Sequence, residues 1–313
     1  SAPGSYSPSA NSYEGERRRF DWQSHASFSQ KLRLSFGADF EKVVSTSSAL
    51  PGGSAGTSNY GFFTEAAYSP SDILDVVGTV RSDDNSQFGS KTTARLALSY
   101  RPNEALTLRG ALSNGFRAPV ASELYSEYPD DDYFGNPNLK PEESVSVEVG
   151  VDYELSDATR ISATVFKNDI ENLVQYAPCP YTDPDNSDFS CQTGTFSTVE
   201  NTPGTSSYRG AEFGVQHSFS DRASMNLAYT YLDAKTAAGA RLPRVARHEL
   251  FLGADVLLSD RFSSQLGVTH VAGRKDMTDY TVVDLGFGYE LSSDVSASLS
   301  LHNLFNEQYQ TVN

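Results

Sequence analysis

The sequence predicts an all-β protein, an antiparallel transmembrane β-barrel, on three observations. Apolar residues recur at every second position through segment after segment. Short polar turns alternate with longer connections. An aromatic residue stands just before most of the short turns. Mean hydropathy is −0.43, and no run of apolar residues is long enough for a membrane helix. A barrel is compatible with both, because it hides its lipid face in alternate residues.

The alternation is plain at 105–113, where Leu106, Leu108 and Leu112 share one face while Thr107, Arg109 and Ser113 share the other. Along 145–153, Val145, Val147, Val149, Val151 and Tyr153 oppose Ser146, Glu148 and Asp152. The stretch 295–302 sets Val295, Ala297, Leu299 and Leu301 against Ser296, Ser298, Ser300 and His302. Helix-period stripes are absent. About fourteen strands follow, over residues 17–28, 31–46, 59–69, 72–82, 91–101, 104–116, 143–154, 158–176, 205–219, 222–236, 243–258, 261–274, 279–291 and 294–304.

Ser29-Gln30, Pro70-Ser71, Pro102-Asn103, Ser156-Asp157, Ser220-Asp221, Ser259-Asp260 and Ser292-Ser293 make the short turns. Longer connections fall at 47–58, 83–90, 117–142, 177–204, 237–242 and 275–278. Short periplasmic turns and longer extracellular loops give this rhythm; a soluble sandwich has no reason to lengthen every second connection. Phe28, Tyr68, Tyr100, Tyr153, Phe219 and Tyr289 occupy the place of an interfacial aromatic girdle. The second face carries Ser, Thr, Arg, Glu and Asp, as a wide, wet or plugged lumen requires. The strands therefore form part of a larger cylinder, and both chain ends read as cut from something longer. With 24 Lys+Arg against 40 Asp+Glu the net charge is −16. That balance argues against nucleic acid, whose affinity comes largely from cations on phosphates.

Several tracts resemble the TonB-dependent receptor family, and within it the cobalamin-receptor branch. They are Arg81-Ser82-Asp83-Asp84-Asn85-Ser86-Gln87-Phe88-Gly89, Gly115-Phe116-Arg117-Ala118-Pro119, Gly135-Asn136-Pro137-Asn138-Leu139-Lys140-Pro141-Glu142, Lys167-Asn168-Asp169-Ile170 and Asn303-Leu304-Phe305-Asn306-Glu307-Gln308-Tyr309. The first tract carries most of the branch assignment. The resemblance implies residues 1–313 of a barrel domain: about fourteen strands of about 22, with the plug domain, roughly seven early strands and the closing strand absent. It implies active transport across the outer membrane of a Gram-negative bacterium, with TonB as partner through the plug and cobalamin (vitamin B12) as ligand. A ferric siderophore is the runner-up. No cofactor is expected in this segment, since the family's calcium sites lie upstream. A passive porin, a barrel enzyme and an adhesin are the alternatives from other classes; no nucleophile motif supports the enzyme, and His25, His217, His248, His270 and His302 are scattered.

The same resemblance places two ligand contacts, at Asn11, where the family has threonine, and at Arg244 within Leu242-Pro243-Arg244-Val245-Ala246-Arg247. A guanidinium there could fork onto amide or phosphate oxygens of the ligand; the plainer reading is a rim arginine meeting lipopolysaccharide or loop carboxylates. Cys179 and Cys191 flank a loop expected to be extracellular. In an oxidising compartment they favour a disulfide, worth about 3 kcal/mol in the chain-entropy picture. A metal or redox pair lacks a Cys-x-x-Cys spacing or nearby His. Asp130-Asp131-Asp132 and Asp83-Asp84-Asn85 lack the spaced cation-loop pattern and read as solvated acidic loops. Arg17-Arg18-Arg19 reads as a rim or lipopolysaccharide-facing cluster.

Overall fold

The computed structural model describes residues 12–128, 133–178 and 197–311. Fourteen strands form one antiparallel sheet: β1 (Tyr13–Ser27), β2 (Leu32–Ser47), β3 (Ser54–Ser71), β4 (Leu74–Asn85), β5 (Gly89–Asn103), β6 (Leu106–Arg117), β9 (Glu142–Ser156), β10 (Thr159–Glu171), β13 (Thr205–Ser220), β14 (Ala223–Lys235), β15 (His248–Ser259), β16 (Phe262–Ala272), β17 (Tyr280–Ser292) and β18 (Val295–Leu301). Neighbours in sequence are neighbours in space throughout. A second, small sheet lies in the long connections, in the order β11 (Val174–Pro178), β12 (Ser197–Asn201), β8 (Tyr133–Phe134), β7 (Glu127–Tyr128).

Register carries one face across the whole large sheet. Phe20–Phe40–Tyr60, Leu112–Val147, Val149–Val165 and Phe213–Tyr229 pair across neighbouring strands, all on the apolar side. Large apolar side chains on this side stay exposed, among them Phe62, Leu96, Val149 and Leu299. A soluble protein would cover so large an apolar surface; a lipid-facing sheet leaves it bare. The expected girdle aromatics Phe28, Tyr68, Tyr100, Tyr153, Phe219 and Tyr289 are all exposed at the short-turn end.

The strand reading needs three corrections. Residues 158–176 are not one strand: Asn172 takes φ +57°, in the left-handed region, so β10 stops at Glu171 and β11 leaves for the small sheet. An asparagine tolerates that conformation where a branched residue would not. The connection expected at 83–90 is a tight hairpin, 86–88, with Gly89 at φ +74°. The strand expected from 243 begins only at His248. Among the described residues no helix is long and apolar enough to cross a membrane; the longest is α1 (Ala121–Tyr125).

Placing one charge in the middle of the apolar face tests its contact with lipid. Val149→Arg should destabilise the folded full-length protein in lipid vesicles by about 2–4 kcal/mol. Ser113→Arg, on the polar face, should stay within about 0.5 kcal/mol of the parent. Denaturant unfolding followed by tryptophan fluorescence reads both.

Candidate functional site

On the polar face, at the long-loop end, lies a groove of about 710 Å³. Its floor comes from β1–β4 and its lip from residues 118–122 and Tyr125. That volume is within the usual range of small-molecule sites. A charge network crosses the floor. Arg81 Nη1 on β4 donates to Asp39 Oδ2 on β2 at 2.6 Å, and Arg81 Nη2 donates to Asp83 Oδ1 at 2.6 Å. Asn59 Nδ2 on β3 donates to Asp83 Oδ1 at 2.7 Å. The two carboxylates are 8% and 7% exposed, against 30% for the guanidinium, so the acids are the deeper partners.

Arg81 and Asp39 lie two strands apart, and the strand between them presents Gly61. A Cβ built there would collide with Arg81 Nη2 and sit 2.7 Å from Asp39 Oδ2. The absent side chain is what lets the guanidinium lie across β3. Arg19 and Glu41 extend the polar floor, while Tyr13 donates or accepts with Ser45 at 3.1 Å. Phe88 and Phe116 meet edge to face, 5.6 Å between centroids, at the apolar side of the groove. Two of the tracts that carried the resemblance therefore converge on one place: Arg81, Asp83, Asn85, Gln87 and Phe88 from the first, Phe116, Ala118 and Pro119 from the second.

The loops above are stitched rather than loose. Arg117, at the end of β6, forks onto Glu142 at 2.7 and 2.9 Å and also bonds Glu123 at 3.0 Å. Glu142 accepts the Val174 N–H at 2.8 Å, tying in the second long connection. Asn201 donates to Lys140 O and Asn172 O and accepts the Lys140 N–H. Asn136 donates to Val199 O. Gly135 passes so close to α1 that a Cβ would lie 2.7 Å from Leu124 C. Leu124, Leu139 and Val199 form a small buried core beneath. The Gly135–Glu142 tract is thus a loop-folding element. Around it Tyr128, Tyr133 and Tyr176 stack edge-on or tilted. Burial, then the neighbouring Tyr176 and Glu123, push the Tyr133 phenol up to about 12, so it remains a neutral donor.

Arg244 does not reach this groove. It sits exposed on the β14–β15 connection with φ +64°, its N–H on Lys275 O at 3.3 Å. It precedes β15, which begins at His248, so no strand parity aims it. Asn11, Cys179, Cys191 and Asp130–Asp132 lie outside the described residues. Asp83 is not a solvated loop acid but a buried member of the Arg81 network; Asp84, on the other face, accepts from Ser90 Oγ. The arginine triplet is divided by the pleat. Arg17 and Arg19 face the polar side, bonding Glu41 and Asp21, and Arg18 faces the apolar side beside Glu16. The sequence reading missed Asp39, Asn59 and Gly61. Alternation places them on the polar face, but their meeting depends on register across three strands.

A family model described as TonB dependent receptor-like, beta-barrel, matches residues 1–304. A vitamin B12 transporter BtuB from Vibrio vulnificus is 28% identical over 311 residues, covering 94% of this chain and 46% of the relative. The chain spans about half the length of the curated relatives it matches first. Among solved structures, the siderophore receptor PirA from Pseudomonas aeruginosa superposes with a TM-score of 0.76 at 20% identity, over 95% of this chain and 53% of that one. The ferric enterobactin receptor mutant Q482A from the same species, in complex with enterobactin, gives 0.78 at 19%, over 96% and 50%.

Removing the Arg81 side chain should cost roughly 1–3 kcal/mol, because it strands two nearly buried carboxylates. Arg81→Lys should recover only part, since an ammonium cannot fork to both acids. Urea unfolding of the full-length protein in detergent measures each. Asn201→Ala should speed amide exchange at Lys140 while leaving the β4–β5 hairpin unchanged, as read by hydrogen–deuterium exchange of the full-length protein.

Proposed function

We propose an outer-membrane uptake function on one premise: the chain belongs to the TonB dependent receptor-like β-barrel family. The sheet is part of the wall of an outer-membrane barrel, with its long loops outside the cell. The ligand is a scarce, bulky metal chelate, and cobalamin leads. The carrying observation is the groove on the polar face, bordered at its lip by residues 118–122 and Tyr125 and floored by the Arg81–Asp39–Asp83 network. It offers fixed donors and acceptors beside aromatic surface, which suits a ligand with both amide and apolar edges. The name of the B12 transporter relative supports cobalamin. The siderophore receptors whose fold this chain shares support the second reading, a ferric siderophore; fold alone does not fix a ligand.

On this reading the chain's own residues bind and orient. The groove would hold one edge of the chelate, and Arg244 on its exposed connection would meet ligand oxygens arriving from outside. Release inward would be driven by TonB acting elsewhere in the receptor.

Cyanocobalamin binding to the full-length protein in detergent, with ferric enterobactin as competitor, tests the assignment. Saturable cobalamin binding, weakened about tenfold in Arg244→Ala, is expected from the loss of one charge-assisted contact. Siderophore binding without cobalamin binding would replace the first ligand by the second.

A further inference from the structure

We infer that the apolar face carries a phosphate-binding site for lipid A at the long-loop end, built from Lys167, Arg209 and Lys235. The inference rests on the outer-membrane reading above. Register puts Lys167 directly opposite Arg209, and Arg209 directly opposite Asp233. All three share the face of Val165, Phe213 and Tyr229. The row toward the short turns is Val149, Val165, Ala211, Tyr231, entirely uncharged. The next row toward the loops is Asp169, Ser207, Lys235. On β10, β13 and β14 the apolar band therefore gives way to charge within one step of the pleat, while β9 still presents Val147 and Val145. The change falls beside Tyr231, an aromatic suited to a membrane interface.

Two cations directly opposite each other on adjacent strands destabilise a sheet. The pair is only partly neutralised: Lys167 bonds Asp169 and Arg209 bonds Asp233 at 3.1 Å. Asp233 is shared further with Lys235 at 2.9 Å and Arg247 at 3.8 Å. Four cations thus surround two acids. Lys167 and Arg209 remain 56% and 60% exposed, whereas Asp233 is 8% exposed. The buried acid holds the cations in place, and the exposed cationic ends point outward with charge to spare. A phosphate monoester at the level where acyl chains begin has the charge and the oxygens for that pair. A phosphorylated glycolipid of the outer leaflet presents one at this height.

The arrangement occurs twice. On the other half of the sheet the aromatic row Phe20, Phe40, Tyr60 is followed, one row nearer the loops, by Arg18 directly opposite Lys42. In both places an opposed cation pair stands one row nearer the loops than an uncharged row that carries an aromatic, Tyr231 in one and Phe20, Phe40 and Tyr60 in the other. That fits a wall that meets the same anionic layer at more than one place.

The full-length protein, expressed in a Gram-negative host and recovered from its outer membrane, is delipidated in detergent. It is then incubated with bisphosphorylated or with dephosphorylated lipid A, and retained lipid is counted by native mass spectrometry. Parent and Lys167→Arg/Arg209→Lys should retain bisphosphorylated lipid A, with Lys167→Gln/Arg209→Gln retaining roughly tenfold less. Dephosphorylated lipid A should bind all three weakly, and Arg95→Gln on the polar face should match the parent. Equal retention by parent and the glutamine variant overturns the site while leaving the membrane reading intact. Equal retention of the two lipids overturns the phosphate assignment. Absence of the parent from the outer-membrane fraction overturns the membrane reading, and the site with it.

Discussion

The hydrogen-bond ladder of the large sheet is the constraint on which everything else rests. Fourteen strands pair in one antiparallel order, each with its sequence neighbour in the sheet. Because strand side chains alternate strictly, one register fixes two surfaces at once, and a slip of one residue would exchange them. Irregularities in register fall beside the short turns, between Tyr68 and Ser71, Tyr100 and Asn103, and Glu290 and Ser292, for example. There a bulge adds twist without transmitting a change of face to the loop end. The groove floor on β1–β4 and the charged rows on β10, β13 and β14 both lie at the loop end, and the registers of those strand pairs run unbroken there.

The polar face shows how such a wall keeps charges without a core. Arg81, Arg95 and Arg109 each reach an acid on another strand: Asp39, Glu148 and Asp152. Exposed pairs of this kind contribute little individually. The Arg81 pair differs because its acids are almost enclosed and Gly61 lets the guanidinium cross the intervening strand. A small residue in the right register converts a surface arginine into a link across three strands. The groove above inherits a fixed floor, which limits the ordering cost of any ligand placed there.

Much of this was legible in the sequence. Alternation at 145–153 and 295–302 located strands and faces, and the aromatic before most of the short turns located one end of the sheet. What was not legible has specific causes. Asn172 ends β10 through a left-handed backbone that no alternation pattern announces. Arg244 falls in a loop because pairing of β14 with β15 starts only at Tyr231 and His248. Asp83 looks like a loop acid until the tight hairpin at 86–88 brings residues 81–85 into the ladder. The tracts carrying the family resemblance were legible as a set but not in their roles. One supplies groove residues, whereas Gly135–Glu142 holds two loops together.

The net charge of −16 tempts one to expect repulsion from any anionic surface. The pleat removes that expectation. The acids Asp39, Asp83, Glu148 and Asp152 are paired with arginines on the polar face. The apolar face, at the loop end, presents Lys167 and Arg209 side by side. A screening length of about 8 Å at physiological salt makes local arrangement, not the total, decide what an approaching phosphate meets. A sheet that sorts residues by parity can therefore be acidic as a whole, keep a balanced lumen wall, and still turn cations toward an anionic leaflet. The ladder that builds the groove is the same ladder that aims those cations, so neither surface could shift register without losing the other.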